Sequence, residues 1–320
     1  MKAAIITRFG SRWSIEVRQV PKPVPAAGEV LVRVRAATVN RTDCGELRHP
    51  LLERLIIARG TPGRSILGLD FAGEIEAVGA GVSGFKAGDR VFGMGPRGRN
   101  GAQAEYFCMP ETGAIGSMAE AVPFDRAVAC EGAYYADPAL KAVDAGPGDK
   151  ILVYGASGAI GTAAVQLAKY YGADVTAVVA TRHLDMARSL GADRVVDYTT
   201  PEFRQLGRRF GLVFDAVGKM TLFQRRRLLK PGRTFATTDL GPWAQNIPFL
   251  LWSWINGRRR FIVALPPRGS ARAFVNFLME RMVAGEFRAV VDRKYPLDAI
   301  ADAYRYVQTG QKAGIVVIDV

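Results

Sequence analysis

The sequence predicts an α/β protein with two domains, one rich in short strands and one a doubly wound parallel sheet. Three observations carry this reading. The first third of the chain holds short runs of alternating apolar and polar residues separated by glycine turns. From residue 151 onward, β-branched apolar runs alternate with segments of helical period, which requires parallel crossovers. The length of 320 residues suggests about two domains.

The elements follow in order. In Glu29–Ala37, Val30, Val32, Val34 and Ala36 share one face, and Arg33 and Arg35 lie on the other, the pattern of a half-buried strand. Phe71–Val78 alternates likewise, with Glu74 and Glu76 outward, and runs into the glycine turns at Gly79, Gly81 and Gly84. Lys86–Asp89 is a turn, and Arg90–Gly93 a short strand. Together these read as a small β barrel or sandwich. The middle then changes character. Ile151–Tyr154 is a buried parallel strand. Ile160, Ala163, Ala164, Leu167, Ala168 and Tyr171 fall on one helical face. Asp174–Val179, Arg194–Tyr198, Leu212–Asp215 and Arg233–Thr237 are further strands, with helices at His183–Leu190 and Thr221–Leu229. Arg260–Leu265 reads as the last strand of this sheet. Beyond it come a helix at Ala271–Ala284, strand-like Ala289–Val291, a helix at Leu297–Gln308 and a strand at Gly314–Ile318. The expected division is 1–122 for the first part of the β-rich domain, 123–265 for the parallel-sheet domain, and 266–320 for a return to the first.

Composition removes several classes. Hydrophobic residues are 49% and charged residues 23%, which excludes a disordered or collagenous chain. Cys44, Cys108 and Cys130 are widely spaced and form no metal-ligand pattern, so a reduced, cytoplasmic chain is expected. The net charge of +13 raises the question of anionic partners, with clusters at Arg225–Arg227 and Arg258–Arg260. No zinc-finger spacing, RNA-binding aromatic signature or basic-region helix accompanies them, so no nucleic acid is expected. The N-terminus lacks a signal-peptide pattern. The most membrane-like stretch, Ile247-Pro-Phe-Leu-Leu-Trp-Ser-Trp-Ile255, is far short of the roughly 20 residues that span a bilayer, so no transmembrane segment is expected.

The chemistry concentrates at Gly155-Ala-Ser-Gly-Ala-Ile-Gly161, between a strand and a helix. The first glycine permits a tight turn, the second lets the backbone approach a pyrophosphate, and the third allows close helix–strand packing. The helix N-terminus offers unbonded N–H groups to phosphates. Gly155, Ser157, Gly158, Ala159, Ile160 and Gly161 are therefore candidate cofactor contacts. An NAD-selective site ends its second strand in Asp or Glu. Here the chain reads Val179-Ala-Thr-Arg-His183, with no acid before Asp185. Thr181 and Arg182 suit a 2′-phosphate instead. The other reading leaves Arg182 solvated and without a ligand.

These residues resemble a family. The Gly155–Lys169 segment, Leu190-Gly-Ala-Asp193 with Val196-Asp-Tyr198, and Phe214-Asp-Ala-Val-Gly218 look like the medium-chain dehydrogenase/reductase superfamily, in its zinc-independent quinone oxidoreductase branch. Val39-Asn-Arg-Thr-Asp43, Leu67-Gly-Leu-Asp-Phe-Ala-Gly-Glu74 and Gly84–Phe92 fit the same branch, so the resemblance covers nearly the whole chain. It implies a GroES-like substrate domain, a Rossmann domain, and a nicotinamide cleft between them. It also implies that Tyr198 and Val217 contact the cofactor, and that two chains pair as a homodimer through the edge strand at Arg260–Leu265.

Zinc-dependent relatives carry a cysteine where this chain has Asn40, and Gly-His-Glu where it has Gly68-Leu69-Asp70. With His49 and His183 as its two histidines, a Cys/His zinc site is not expected, and no metal is. What remains is hydride transfer from NADPH to a quinone or an α,β-unsaturated carbonyl. Asn40 either hydrogen-bonds the substrate oxygen or the nicotinamide amide, or is a buried amide satisfied by backbone. Tyr134 and its neighbour Tyr135 either donate a proton to an enolate or simply pack. Cys44 reads as a buried structural thiol. The alternatives to this reading are an enoyl-thioester reductase of a biosynthetic pathway, a non-catalytic NADPH-binding regulator, and an RNA-binding protein on the same fold.

Overall fold

A computed structural model describes residues 1–48, 66–95, 101–239, 246, 261–264 and 271–320. His49, the apolar segment 247–255 and the arginines 258–260 lie outside the described residues. The chain divides into two compact units, Met1–Glu131 with Gly269–Val320, and Gly132–Arg268. Along the chain the first unit supplies β1 (Lys2–Arg8), β2 (Ser14–Gln19), β3 (Glu29–Val39), β4 (Asp70–Val78), β5 (Arg90–Met94), β6 (Tyr106–Pro110) and β7 (Ala114–Ser117). The second supplies β8 (Lys150–Tyr154), β9 (Asp174–Val179), β10 (Arg194–Asp197), β11 (Phe210–Asp215), β12 (Leu229–Thr237) and β13 (Phe261–Val263). The first unit is completed by β14 (Val291–Pro296) and β15 (Ile315–Asp319).

β3 is the spine of the first unit. Its alternation buries Val30, Val32 and Val34, while Arg35 is turned to Glu74 at 2.8 Å. Its length gives it three neighbours. It runs antiparallel to β4 along most of its course, residues 29–33 pair with β6, and residues 36–39 pair with β15. The sheet order is β14-β15-β3-β4-β5-β7, with β6 added on β3, and β1-β2 form a separate pair. The helix Ile300–Gln308 closes the core with Ile300, Ala303, Tyr304 and Val307, an i, i+3, i+4, i+7 stripe. The strand expected at Ala289–Val291 lies instead at Val291–Pro296. β14 is an edge strand with one neighbour, so its side chains are half exposed and include Asp292, Arg293 and Lys294. An apolar run does not mark such a strand.

The second unit is a six-stranded parallel sheet in the order β10-β9-β8-β11-β12-β13. The order reverses between β8 and β11, the switch point at which such sheets bind ligands beyond the carboxyl ends of their strands. The α/β class, with a β-rich part and a parallel sheet, is as the sequence predicts. β9 coincides with the expected Asp174–Val179, while β12 starts earlier than expected. The pairing steps from Phe210 opposite Leu229 to Leu212 opposite Thr234, so Pro231 and Gly232 (φ +77°) sit in an irregular stretch of the strand. Helix Leu222–Leu228 begins in a capping box made by Thr221 and Gln224. Among the described residues β13 lies at the sheet edge and pairs only with β12; residues 260 and 265 of the expected strand lie outside the described residues. Among the described residues, no helix is long and apolar enough to cross a membrane. No disulfide joins Cys44, Cys108 and Cys130.

Candidate functional site

In the second unit, the turn from β8 into helix Ala159–Tyr170 has three glycines with three different duties. Gly155 adopts φ +75°, which a side chain resists, and a Cβ there would lie 2.6 Å from the Val217 side chain. A Cβ on Gly161 would lie 2.1 Å from the Gly155 carbonyl oxygen, so the helix can rest on the turn only without one. Gly158 differs. Its backbone (φ −79°, ψ 173°) suits any residue, and the nearest atom to a Cβ would be 3.8 Å away. Gly158 is also the helix N-cap, and no side chain caps the helix there. The fold itself therefore has no need of glycine at 158, and the first N–H groups of the helix have no side-chain partner there. Ser157, Ala159 and Ile160 are half-buried on the same turn. Gly132 was missed by the sequence reading. A Cβ there would lie 2.6 Å from the Ala159 carbonyl oxygen, so helix Cys130–Lys141 passes directly against the turn. Tyr134 and Tyr135, on that helix, are buried.

Val217 is held against Gly155 by the loop after β11. The buried Asp215 carboxylate accepts from Val217 N at 3.2 Å and Met220 N at 2.7 Å. Burial nonetheless pushes the Asp215 carboxyl up. Thr181 and Arg182 form a short 3-10 turn after β9, and Tyr198 follows β10 on the neighbouring strand, half exposed beside Tyr154. The Tyr198 amide donates to Val179 O at 3.1 Å, which brings the strand ends together. Arg182 is exposed, with Nε 3.0 Å from His183 Nε2. Between Thr181 and Tyr198 stands Asp197, another group the sequence reading passed over. Its carboxylate accepts from the Thr181 hydroxyl, from Thr199 N at 2.8 Å and from Thr199 Oγ1 at 2.7 Å. The Thr181 hydroxyl, first among these donors, holds the Asp197 carboxyl below its ordinary range.

The first unit contains a buried polar cluster around Asn40. The Asn40 amide Nδ2 donates to Thr38 Oγ1 at 3.1 Å and to Glu131 Oε2 at 3.0 Å, and its Oδ1 accepts from Lys312 Nζ at 3.3 Å. Both amide hydrogens are thus engaged, by side chains rather than by backbone. Asn40 N donates to Asp43 Oδ2 at 2.7 Å, and Glu131 N to Asp70 Oδ1 at 2.7 Å. Asn40, Asp43, Asp70, Glu131 and Lys312 are all buried. Asp43 and Asp70 are pushed well up, first by burial and then by the charge of Glu131. Cys44 is buried beside them, and Cys130 is raised by burial. The donor set does not fit zinc. Asn40 and the buried Leu69, the two positions at which the family resemblance implies zinc ligands in zinc-dependent relatives, carry no zinc-ligating side chain, and no group of three His, Cys, Asp or Glu among the described residues is placed to hold a metal ion.

A parallel sheet ordered about a switch point, with a glycine turn shaped for a pyrophosphate, defines a nicotinamide-dependent oxidoreductase. Comparison with known proteins agrees. Residues 26–131 match the alcohol dehydrogenase GroES-like domain, and residues 190–318 the zinc-binding dehydrogenase family. A chloroplastic quinone-oxidoreductase homolog of Spinacia oleracea is 31% identical, over 94% of this chain and 92% of its own. An NADPH-dependent alkenal/one oxidoreductase of Arabidopsis thaliana is 29% identical, over 99% of this chain and 79% of its own. The solved structure of the quinone oxidoreductase from Coxiella burnetii superposes with a TM-score of 0.85 at 23% identity, covering 100% of this chain and 99% of that one. The chain belongs to the medium-chain dehydrogenase/reductase superfamily, in its quinone oxidoreductase-like branch, and is an oxidoreductase.

Two substitutions separate the folding duty of this turn from its binding duty. Gly161→Ala should lower the thermal midpoint, because its methyl meets backbone. Gly158→Ala should leave the unfolding free energy within about 0.5 kcal/mol of the parent's while weakening nicotinamide-dinucleotide binding at least tenfold, measured by calorimetric titration. Equal loss of stability in the two variants would refute this division.

Proposed function

We propose that this protein is a zinc-independent, NADPH-dependent reductase of quinones or α,β-unsaturated carbonyls. The observation that carries the reading is the glycine turn between β8 and helix Ala159–Tyr170, where Gly158 answers no packing need and the helix has no side-chain cap; among the described residues, no group of three His, Cys, Asp or Glu is placed to hold a metal ion. When bound, the reduced nicotinamide supplies a hydride, so the acceptor must already be electrophilic. The chain binds and orients. The N–H groups before Thr162 hold the pyrophosphate, and Gly155 and Val217 shape the turn above β8. Asn40 keeps the buried cluster in register instead of touching the acceptor, since its amide hydrogens are taken. Tyr134 packs within its helix, and the final proton comes from water. Parent protein should consume reduced nicotinamide absorbance when offered a panel of quinones and enones. Cofactor binding without turnover across that panel would identify a regulator.

NADPH is the proposed cofactor because the turn after β9 presents the exposed Arg182 next to Thr181, and Tyr198 follows the neighbouring strand β10, which supports reading this turn as the contact for a 2′-phosphate. Asp197 tempers this, and its engagement by Thr181 and Thr199 keeps it from facing that phosphate uncompensated. A hydrogen bond to a charged group contributes about 1.5–3 kcal/mol. Arg182→Ala should therefore weaken NADPH binding about 10- to 150-fold and leave NADH nearly unchanged. The ratio of kcat/KM for the two cofactors in parent and variant is the measurement. A parent that uses NADH equally well contradicts the proposal.

A homodimer is proposed on β13. It is an edge strand with Ile262 and Val263 only half-buried, and bare apolar edges invite pairing. Light scattering at micromolar concentration should report a dimer, weakened by Val263→Pro. A monomer in the parent contradicts it.

A further inference from the structure

Lys312 is a lysine in an improbable place. It sits in the turn between helix Ile300–Gln308 and β15, where a charged side chain ordinarily points to water, yet it is 8% exposed. Its Nζ donates to Asn40 Oδ1 at 3.3 Å and to the Gly314 carbonyl. Gly314 has φ +64°, and a Cβ there would lie 1.9 Å from Val290 O, so the turn that carries Lys312 inward is itself fixed by packing.

The cluster it enters is rich in negative charge. Asp43 at the start of helix Arg41–Arg48, Asp70 at the start of β4 and Glu131 in helix Cys130–Lys141 are all buried around Asn40. Burial and Glu131 drive Asp43 and Asp70 toward their neutral forms, which leaves Glu131 as the charge the others feel. The Asn40 amide lies between Glu131 and Lys312. Its N–H end faces the carboxylate and its carbonyl end faces the ammonium. An amide dipole so aligned between opposite charges, away from water, strengthens the attraction of each. The groups acting on Lys312 come from several elements. Burial pushes the ammonium down to about 8, Glu131, Cys44 and Asp292 oppose that, and Arg41 adds to it.

We propose that the Lys312 ammonium is the resident cation of this cluster, the counter-charge that Glu131 requires through the Asn40 amide. Asn40 is then oriented by Lys312, which makes Lys312 a positioning residue.

The test uses the full chain with Lys312→Met, Glu131→Gln and the double variant, read by thermal unfolding. Removing one partner of a buried charge pair is strongly destabilising, so Lys312→Met should lower the midpoint by roughly 10 °C near neutral pH. Glu131→Gln keeps an acceptor for the Asn40 amide and removes the charge. The double variant should therefore regain at least half of the loss. If Lys312→Met does not fold, a folded double variant supports the proposal and an unfolded one overturns it. A Lys312→Met midpoint equal to or above the parent's, or no recovery in the double variant, overturns it as well: Lys312 would then fill space only.

Discussion

Carboxylates inside a protein must be met by donors or by charge, and in this molecule that requirement gathers distant stretches of the first unit. The Asp70 carboxylate accepts from Glu131 N and from Thr38 Oγ1, and the Asp43 carboxylate from Asn40 N. Gln103 Nε2 donates to Thr38 O, and the buried Tyr304 hydroxyl donates to Gln103 Oε1. Thus β3, β4, the 101–105 stretch, Glu131 and the C-terminal helix are tied at one polar centre. Leaving any of these groups unmet costs on the order of 1–3 kcal/mol. The apolar contacts around β3 fill the unit, and the polar centre fixes their register.

The second unit meets a different constraint, which is steric. Its helix Ala159–Tyr170 lies close enough to the preceding turn that position 161 has no room for a Cβ, and helix Cys130–Lys141 crosses near enough to exclude one at 132. The N-cap is itself a glycine, Gly158, so the helix N-terminus has no side-chain cap. A helix that folds without a cap leaves its first N–H groups for a ligand, and a phosphate is the ligand that suits them.

Much of this was legible in the sequence. The glycine turn, the strand β9 and the α/β class follow from residue patterns because period and glycine placement are local properties. Asp197 carries no local signal within Val196-Asp-Tyr198, because its role depends on Thr181 sixteen positions earlier. Gly132 gave no signal either, since its neighbour is the carbonyl of Ala159 on another helix. Lys312 was the least legible. A Gln-Lys-Ala turn reads as solvent-facing, and only the fold reveals that the side chain runs inward to Asn40. Edge strand β14 was misplaced for the related reason that half-exposed strands carry charge.

The central claim is that the chain moves a hydride from a bound nicotinamide to an activated acceptor without help from a metal. The direct measurement uses NADPH deuterated at the transferring carbon, with an enone acceptor, on protein whose metal content has been assayed and to which a strong chelator is added. The account predicts deuterium at the β-carbon of the product, at a rate the chelator does not change. Product without deuterium, or a rate abolished by the chelator and restored by zinc, would contradict it.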